Sequence, residues 1–377
     1  MNNIEIENID EDEYVNNGDI ISPFKTKDIK ITNKIMTLSN LIDKLKYDEI
    51  DLNPDFQRND NLWNQVKMSR LIESILLKLP LPVFYFDVSD TDKWLIVDGL
   101  QRLSTIQQFI VNTEKKVLTL KNLEFLNKLN GKKYKELDRS LIRVINETNI
   151  VTYQIEAQTP KEVRYSIFNR INTGGLPLNP QEVRQALNQV GNGVKFLKDV
   201  SKHDTFKNIV NISPKRMLDR ELILRFIAFK INPQIYENFT FNNMGEFLDK
   251  SMEELDKIKD DARLQELKDD LINTLEFSEE ILGKGYRFSR SIADKQRTNT
   301  LNQSLFDVLT VCFSEIKIKE KFLAEIDIFK TKFIEMLKDE NSEFLKSITT
   351  GTSGKAAIEM RFKIMNKLIE EILNEDW

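Results

Sequence analysis

The chain has 377 residues, of which 40% are hydrophobic and 31% charged, and a net charge of −5; this is the profile of an ordinary globular protein with room for two or three domains. One cysteine excludes an internal disulfide and a thiolate metal cluster, and a single histidine cannot assemble an HNH nuclease centre or a zinc site. No apolar run approaches the roughly 20 residues a membrane span requires, and the acidic amino terminus does not resemble a signal peptide, so the sequence predicts a cytoplasmic protein without a membrane partner.

Residues 1–24 hold seven acids and no base, which leaves about +2 on the remainder. They read as a disordered acidic tail, and the balance left on the rest neither demands nor excludes nucleic acid. Residues 29–36 predict a strand. Thr37 or Ser39 then caps a helix through Tyr47 with Leu41, Ile42 and Leu45 inward. Ile50 and Leu52 alternate with acids as a brief strand, ended by Pro54. Gln57 and Arg58 follow on an exposed turn, where a planar guanidinium beside an amide suits phosphate or carboxylate; the plainer reading is a solvated surface pair. Residues 66–79 form an amphipathic helix stopped by Pro80 and Pro82.

Residues 83–88 and 94–97 predict two strands joined by an acidic turn. The second is an apolar run of the kind covered on both faces, and it breaks at Asp98-Gly99 directly into a helix. Asp98 thus stands at a strand's carboxyl end. Gln101 and Arg102 occupy the first helical turn, where free N–H groups and the helix dipole favour an anion. Alternatively, Asp98 caps the helix and Arg102 pairs with it on the surface. Lysine-rich residues 112–140 read as a small insertion anchored by Leu118, Leu120, Leu123, Phe125, Leu126, Tyr134 and Leu137. After a strand over 150–155, Pro160 starts a helix that delivers Asn169, Arg170 and Asn172 to a Thr173-Gly174-Gly175 loop; there the glycines either let backbone approach a ligand or simply stop the helix. Pro180 opens a helix over 181–188 in which Glu182 and Arg184 can support a site. From about 193 onward every apolar pattern has helical spacing. Cys312 falls in an apolar run and reads as core, and His203 as a surface residue. Gly351 to Lys355 fails the phosphate-loop pattern, because the glycine spacing is short and Ala356 replaces the magnesium-binding hydroxyl; Arg361 nearby leaves an accessory anion site open.

The order PDFQR (54–58), LIESILLKLPLP (71–82), IVDGLQRLSTIQ (96–107), FNRINTGG (168–175) and LNPQEVRQAL (178–187) resembles the GmrS-type domain of prokaryotic modification-dependent restriction systems, whose hallmark is a DGQQR motif. The third hallmark position is Leu100 in this sequence. The resemblance implies a ParB/sulfiredoxin-like mixed α/β domain. The fold expectation is therefore α+β, with a disordered tail over 1–24, that domain over 25–190 and a helical bundle over 191–377. It also implies nucleoside-triphosphate hydrolysis that controls a DNA-cleaving partner. Such domains are often fused to or paired with an HNH-type nuclease, a part this chain lacks.

A nucleotide site follows from the residues themselves. Arg58 and Arg102 would clamp the phosphates, Asp98 would hold magnesium or orient water, and Gln57, Gly99, Gln101, Asn169, Arg170, Asn172 and Thr173 would contact the nucleotide. The expected function is a magnesium-dependent nucleoside triphosphatase regulating a DNA-restriction or phage-defence system, with a separately encoded nuclease and DNA as partners. One rival is a ParB-like DNA-binding module in which Arg58, Arg102, Arg170 and Arg184 contact the phosphate backbone. A weak nuclease ranks last, since few acids converge in the motifs.

Overall fold

The structure is a computed structural model that describes residues 5–7, 26–52, 63–111, 117–160, 163–164, 167, 171, 179–188, 191–286 and 288–374. It is an α+β chain, a small mixed sheet followed by helices, as expected. By internal contacts it divides into two compact units, Ile20–Asn179 and Pro180–Trp377 together with Met1–Asp19.

The sheet unit has five strands: β1 (Ile31–Thr37), β2 (Ile50–Asp51), β3 (Phe84–Asp87), β4 (Trp94–Asp98) and β5 (Asn149–Ile155). Their spatial order is β1-β5-β3-β4-β2. β1 is antiparallel to β5, β5 parallel to β3, β3 antiparallel to β4, and β4 parallel to β2. Helices that pack with the sheet include α1 (Leu38–Lys46), α2 (Gln65–Leu76), α3 (Leu100–Ile106) and α4 (Arg139–Glu147). Thr37 caps α1 and Asn64 caps α2, each accepting from an N–H in the first turn. Phe84, Phe86, Ile96 and Ile150 of the sheet form one core with Leu41, Ile42, Ile72, Ile75, Leu103 and Ile106 of the helices. Successive residues of a strand face opposite ways, and Ile96 and Val97 are both buried. The inner half of β4 is therefore covered on both sides.

Two local expectations need correction. Phe125 is 69% exposed, whereas Leu118, Leu120, Leu123 and Leu137 are buried. What holds residues 124–126 is their backbone, since the Glu73 carboxylate on α2 accepts from the N–H groups of Glu124, Phe125 and Leu126 at 3.0, 2.7 and 2.8 Å. Burial alone would raise the Glu73 carboxyl, but these N–H groups outweigh it and hold the carboxyl below its usual range. The helix α4 had no counterpart in the pattern. Leu141, Ile142 and Ile145 do follow helical spacing, but the β-branched Ile142, Val144 and Ile145 run directly into the β5 sequence and obscure it.

In the helical unit, Leu218–Ile231 and Gln303–Glu315 are buried along most of their length. Between them lies an ionic cluster: Arg225 contacts Asp307 at 3.0 Å and Glu221 at 3.5 Å, and Arg361 reaches Asp307 at 3.6 Å. Cys312 is core, at 2% exposure. His203 is half-buried at the N-cap of Asp204–Ile209 rather than on the surface. The glycine loop at 351–354 follows the helix Glu343–Ser347, and Arg361, fully buried, donates to the carbonyls of Thr352 and Ser347 at 2.6 and 3.4 Å. No accessory anion site opens there. Nor does the tail lack structure throughout, because Ile6 bridges Leu301 in parallel register. Among the described residues no helix is long and apolar enough to cross a membrane.

Candidate functional site

The site is built where β4 becomes α3. Gly99 makes the turn at φ +105°, and a Cβ there would meet the Phe84 ring at 2.5 Å; neither condition suits another residue. Gly99 also occupies the N-cap and brings no side chain to the first-turn N–H groups of α3. Those donors are the ones that cradle an anion at a helix start.

Arg102 sits one turn later and is 8% exposed. Its guanidinium donates to the Asp98 carboxylate at 2.9 Å, to the Val83 carbonyl at 3.1 Å and to the Pro82 carbonyl, and lies 4.4 Å over the Phe84 ring. One side chain thus ties together the entry to β3, the end of β4 and the start of α3. The planar fork with several donors is what a guanidinium supplies and an ammonium does not. The guanidinium that the sequence suggested as a phosphate clamp is engaged with these partners, and the pair with Asp98 is part-buried rather than on the surface. Signals for this arrangement were present in Pro80 and Pro82, read only as helix stops, whose segment exposes carbonyls just ahead of β3.

The Asp98 side chain keeps 29% exposure. Burial raises its carboxyl above the usual carboxylate range, and the Arg102 guanidinium and the Gly99 N–H pull it part of the way back. Burial likewise lowers the Arg102 guanidinium, with Asp98 opposing. A carboxylate that is short of solvation gains more than usual from an added cation. Among the described residues no group of three or more His, Cys, Asp or Glu could hold a metal ion. Asp98 presents one part-exposed carboxylate at the start of α3. Leu100 packs on the apolar core.

Gln101 accepts from the Trp63 N–H at 3.2 Å, and β2 pairs Ile50 with Trp94 and Asp51 with Leu95. Both ends of the stretch that carries Gln57 and Arg58 are therefore fastened beside β4 and α3. Gln57 and Arg58 themselves lie outside the described residues, as do Asn169, Arg170, Asn172 and Thr173.

Glu182 and Arg184 are each 2% exposed in the helix Pro180–Leu187 and belong to the helical unit. Arg184 contacts Asp249 at 2.6 Å, Gln181 at 3.3 Å and the Gly245 carbonyl at 3.3 Å, and Arg216 reaches Glu182 at 3.4 Å. With Arg102 and Arg184 both buried, two of the four arginines of a ParB-like DNA contact are turned inward.

No curated protein and no solved structure was found to match the chain. One family model matches, over residues 38–188: the GmrSD restriction endonuclease N-terminal domain. The span contains β2 to β5, the Asp98-Gly99 junction and the helix Pro180–Leu187, and it points to a component of a restriction or phage-defence system. Residues 38–188 of this chain are thus similar to the N-terminal domain of GmrSD restriction endonucleases.

Proposed function

We propose that the sheet domain binds a nucleoside triphosphate at the Asp98-Gly99 junction and hydrolyses it, so controlling a separately encoded DNA-cleaving partner. The observation that carries the reading is the junction itself: uncapped first-turn N–H groups, a part-exposed carboxylate held by Arg102, and both anchors of the Gln57-Arg58 stretch beside it. Phosphoryl transfer asks mainly for positioning and charge neutralisation. The α3 N–H groups supply donors for phosphate oxygens. Arg102 fixes the Asp98 carboxylate and turns it toward the helix start. Asp98 is the residue to hold magnesium, which when bound offsets phosphate charge. The cationic clamp falls to Arg58 and Arg170, and base or sugar contacts to Asn169, Asn172 and Thr173.

Calorimetry and phosphate release on the full chain with each of the four common nucleoside triphosphates and magnesium test this. Tight binding of at least one, with turnover lost in Asp98→Asn, is the expected result. If none binds, or if Asp98→Asn turns over at the wild-type rate, the reading is wrong.

A further inference from the structure

Residues 5–7 are seated on the helical unit like a short peptide on a receptor. The Glu7 N–H donates to the Leu301 carbonyl at 2.8 Å, and the Leu301 N–H donates to the Glu5 carbonyl at 3.0 Å. Ile6 packs against the helical core. The Glu7 carboxylate receives Arg290 in fork geometry, with Nε at 2.9 and 3.1 Å from its two oxygens and Nη2 on one of them, and receives Asn302 Nδ2 at 2.7 Å. Backbone pairing supplies affinity, a half-buried aliphatic side chain supplies area, and a fork on a carboxylate supplies selectivity; these are the parts of strand-addition peptide recognition.

The receiving side is prebuilt. Asn302, 6% exposed, caps the helix Gln303–Glu315 through its oxygen, donates to the Ile348 carbonyl, and takes its backbone N–H to the Phe288 carbonyl. Two of its side-chain bonds are therefore made to groups other than Glu7. Charge complementarity extends beyond the contact. Residues 283–302 contain Lys284, Arg287, Arg290, Lys295 and Arg297 against Asp294, whereas residues 1–24 contain seven acids and no base.

From these observations we infer that the Arg290–Asn302 pocket is a recognition site for an extended peptide in which an aliphatic residue precedes an acid, and that the chain's own Ile6-Glu7 is its releasable occupant. The inference is independent of the nucleotide reading. A tethered occupant holds its site through a high effective concentration and is displaced only when its own contacts weaken.

The test uses the full chain and a fluorescein-labelled peptide of residues 1–12. Glu7→Lys in the chain frees the pocket by placing a cation against Arg290. Fluorescence anisotropy should then show the wild-type peptide binding the Glu7→Lys chain at least about tenfold more tightly than the wild-type chain. A peptide carrying Glu7→Gln should bind the same chain several-fold more weakly, and raising salt from low to physiological strength should weaken the wild-type peptide. Amide exchange gives a second reading without added peptide, since the Leu301 N–H should lose protection in Glu7→Lys. Equal binding of the two peptides, no binding to the freed chain, or unchanged protection at Leu301 would each overturn the inference.

Discussion

Arg102→Ala separates a structural clip from a ligand-facing cation. The substitution removes the partner of Asp98, the donors to the Pro82 and Val83 carbonyls and the contact with the Phe84 face. Deleting one member of a buried pair costs about 3–5 kcal/mol, and the 29% exposure of Asp98 lets water recover part of that. Two carbonyls without donors add about 1–3 kcal/mol each where water cannot reach them, and the cation–π contact about 0.5–2 kcal/mol. These terms overlap, so a net loss of about 3–5 kcal/mol is expected for Ala. Lys keeps the charge but not the fork, and should lose about 1–2 kcal/mol. Denaturant unfolding followed by tryptophan emission reads mainly the sheet unit, because two of the three tryptophans, Trp63 and Trp94, belong to it. A double-mutant cycle with Asp98→Asn should return a coupling of about 1–3 kcal/mol. If Arg102→Ala leaves the sheet unit's midpoint in place while abolishing nucleotide binding, the guanidinium faces the ligand and the clip is refuted.

Gly99→Ala combines a left-handed φ with a contact against Phe84, and should destabilise the sheet unit by about 2–4 kcal/mol in the same unfolding assay. Glu73→Gln should cost about 1–3 kcal/mol at neutral pH. Because the folded carboxyl is held below its usual range, its contribution is present above that range and vanishes as pH falls through it; the wild type and Glu73→Gln should therefore converge in acid. Asp219 has the opposite sign. Burial pushes its carboxyl up to about 6, so stability falls as pH rises from about 4 through about 6, and Asp219→Asn should be the more stable protein at pH 8 by about 1–3 kcal/mol. Cys312, buried and with its thiol pushed up by burial, should react with a thiol reagent only after unfolding.

Much of the sheet unit could be read from its letters, because strong local signals coincided with strong burial. Thr37 is the cap it resembles, and Leu41, Ile42 and Leu45 are the buried face of α1. Apolar residues 94–97 are a strand, and Asp98-Gly99 is the break into a helix. Where a residue's role depends on a distant backbone atom, the letters were silent. No spacing links Arg102 to the Pro82 carbonyl, or Glu73 to three N–H groups some 50 positions later. Charge misled for the same reason: Arg102, Arg184 and Arg361 are cations whose partners arrive from elsewhere in the chain, so a solvent-facing or anion-binding side chain was the natural expectation for each. The tail's composition correctly marks it as poor in core-forming residues, yet one isoleucine between two glutamates was enough to dock.

The order of strands across the sheet carries a consequence for how the domain is made. Among the described strands, the last in sequence, β5, lies between the first, β1, and β3, so β1 meets its neighbour there when residues 149–155 arrive, as with Thr152 and Lys34, separated by 118 positions. During synthesis the β3–β4 hairpin can close early, while the backbone of β1 stays without its β5 partner. A topology of such long sequence separations folds slowly and exposes an unpaired edge meanwhile. A fragment ending anywhere before residue 149 should for that reason be prone to aggregate, however intact its hallmark motif.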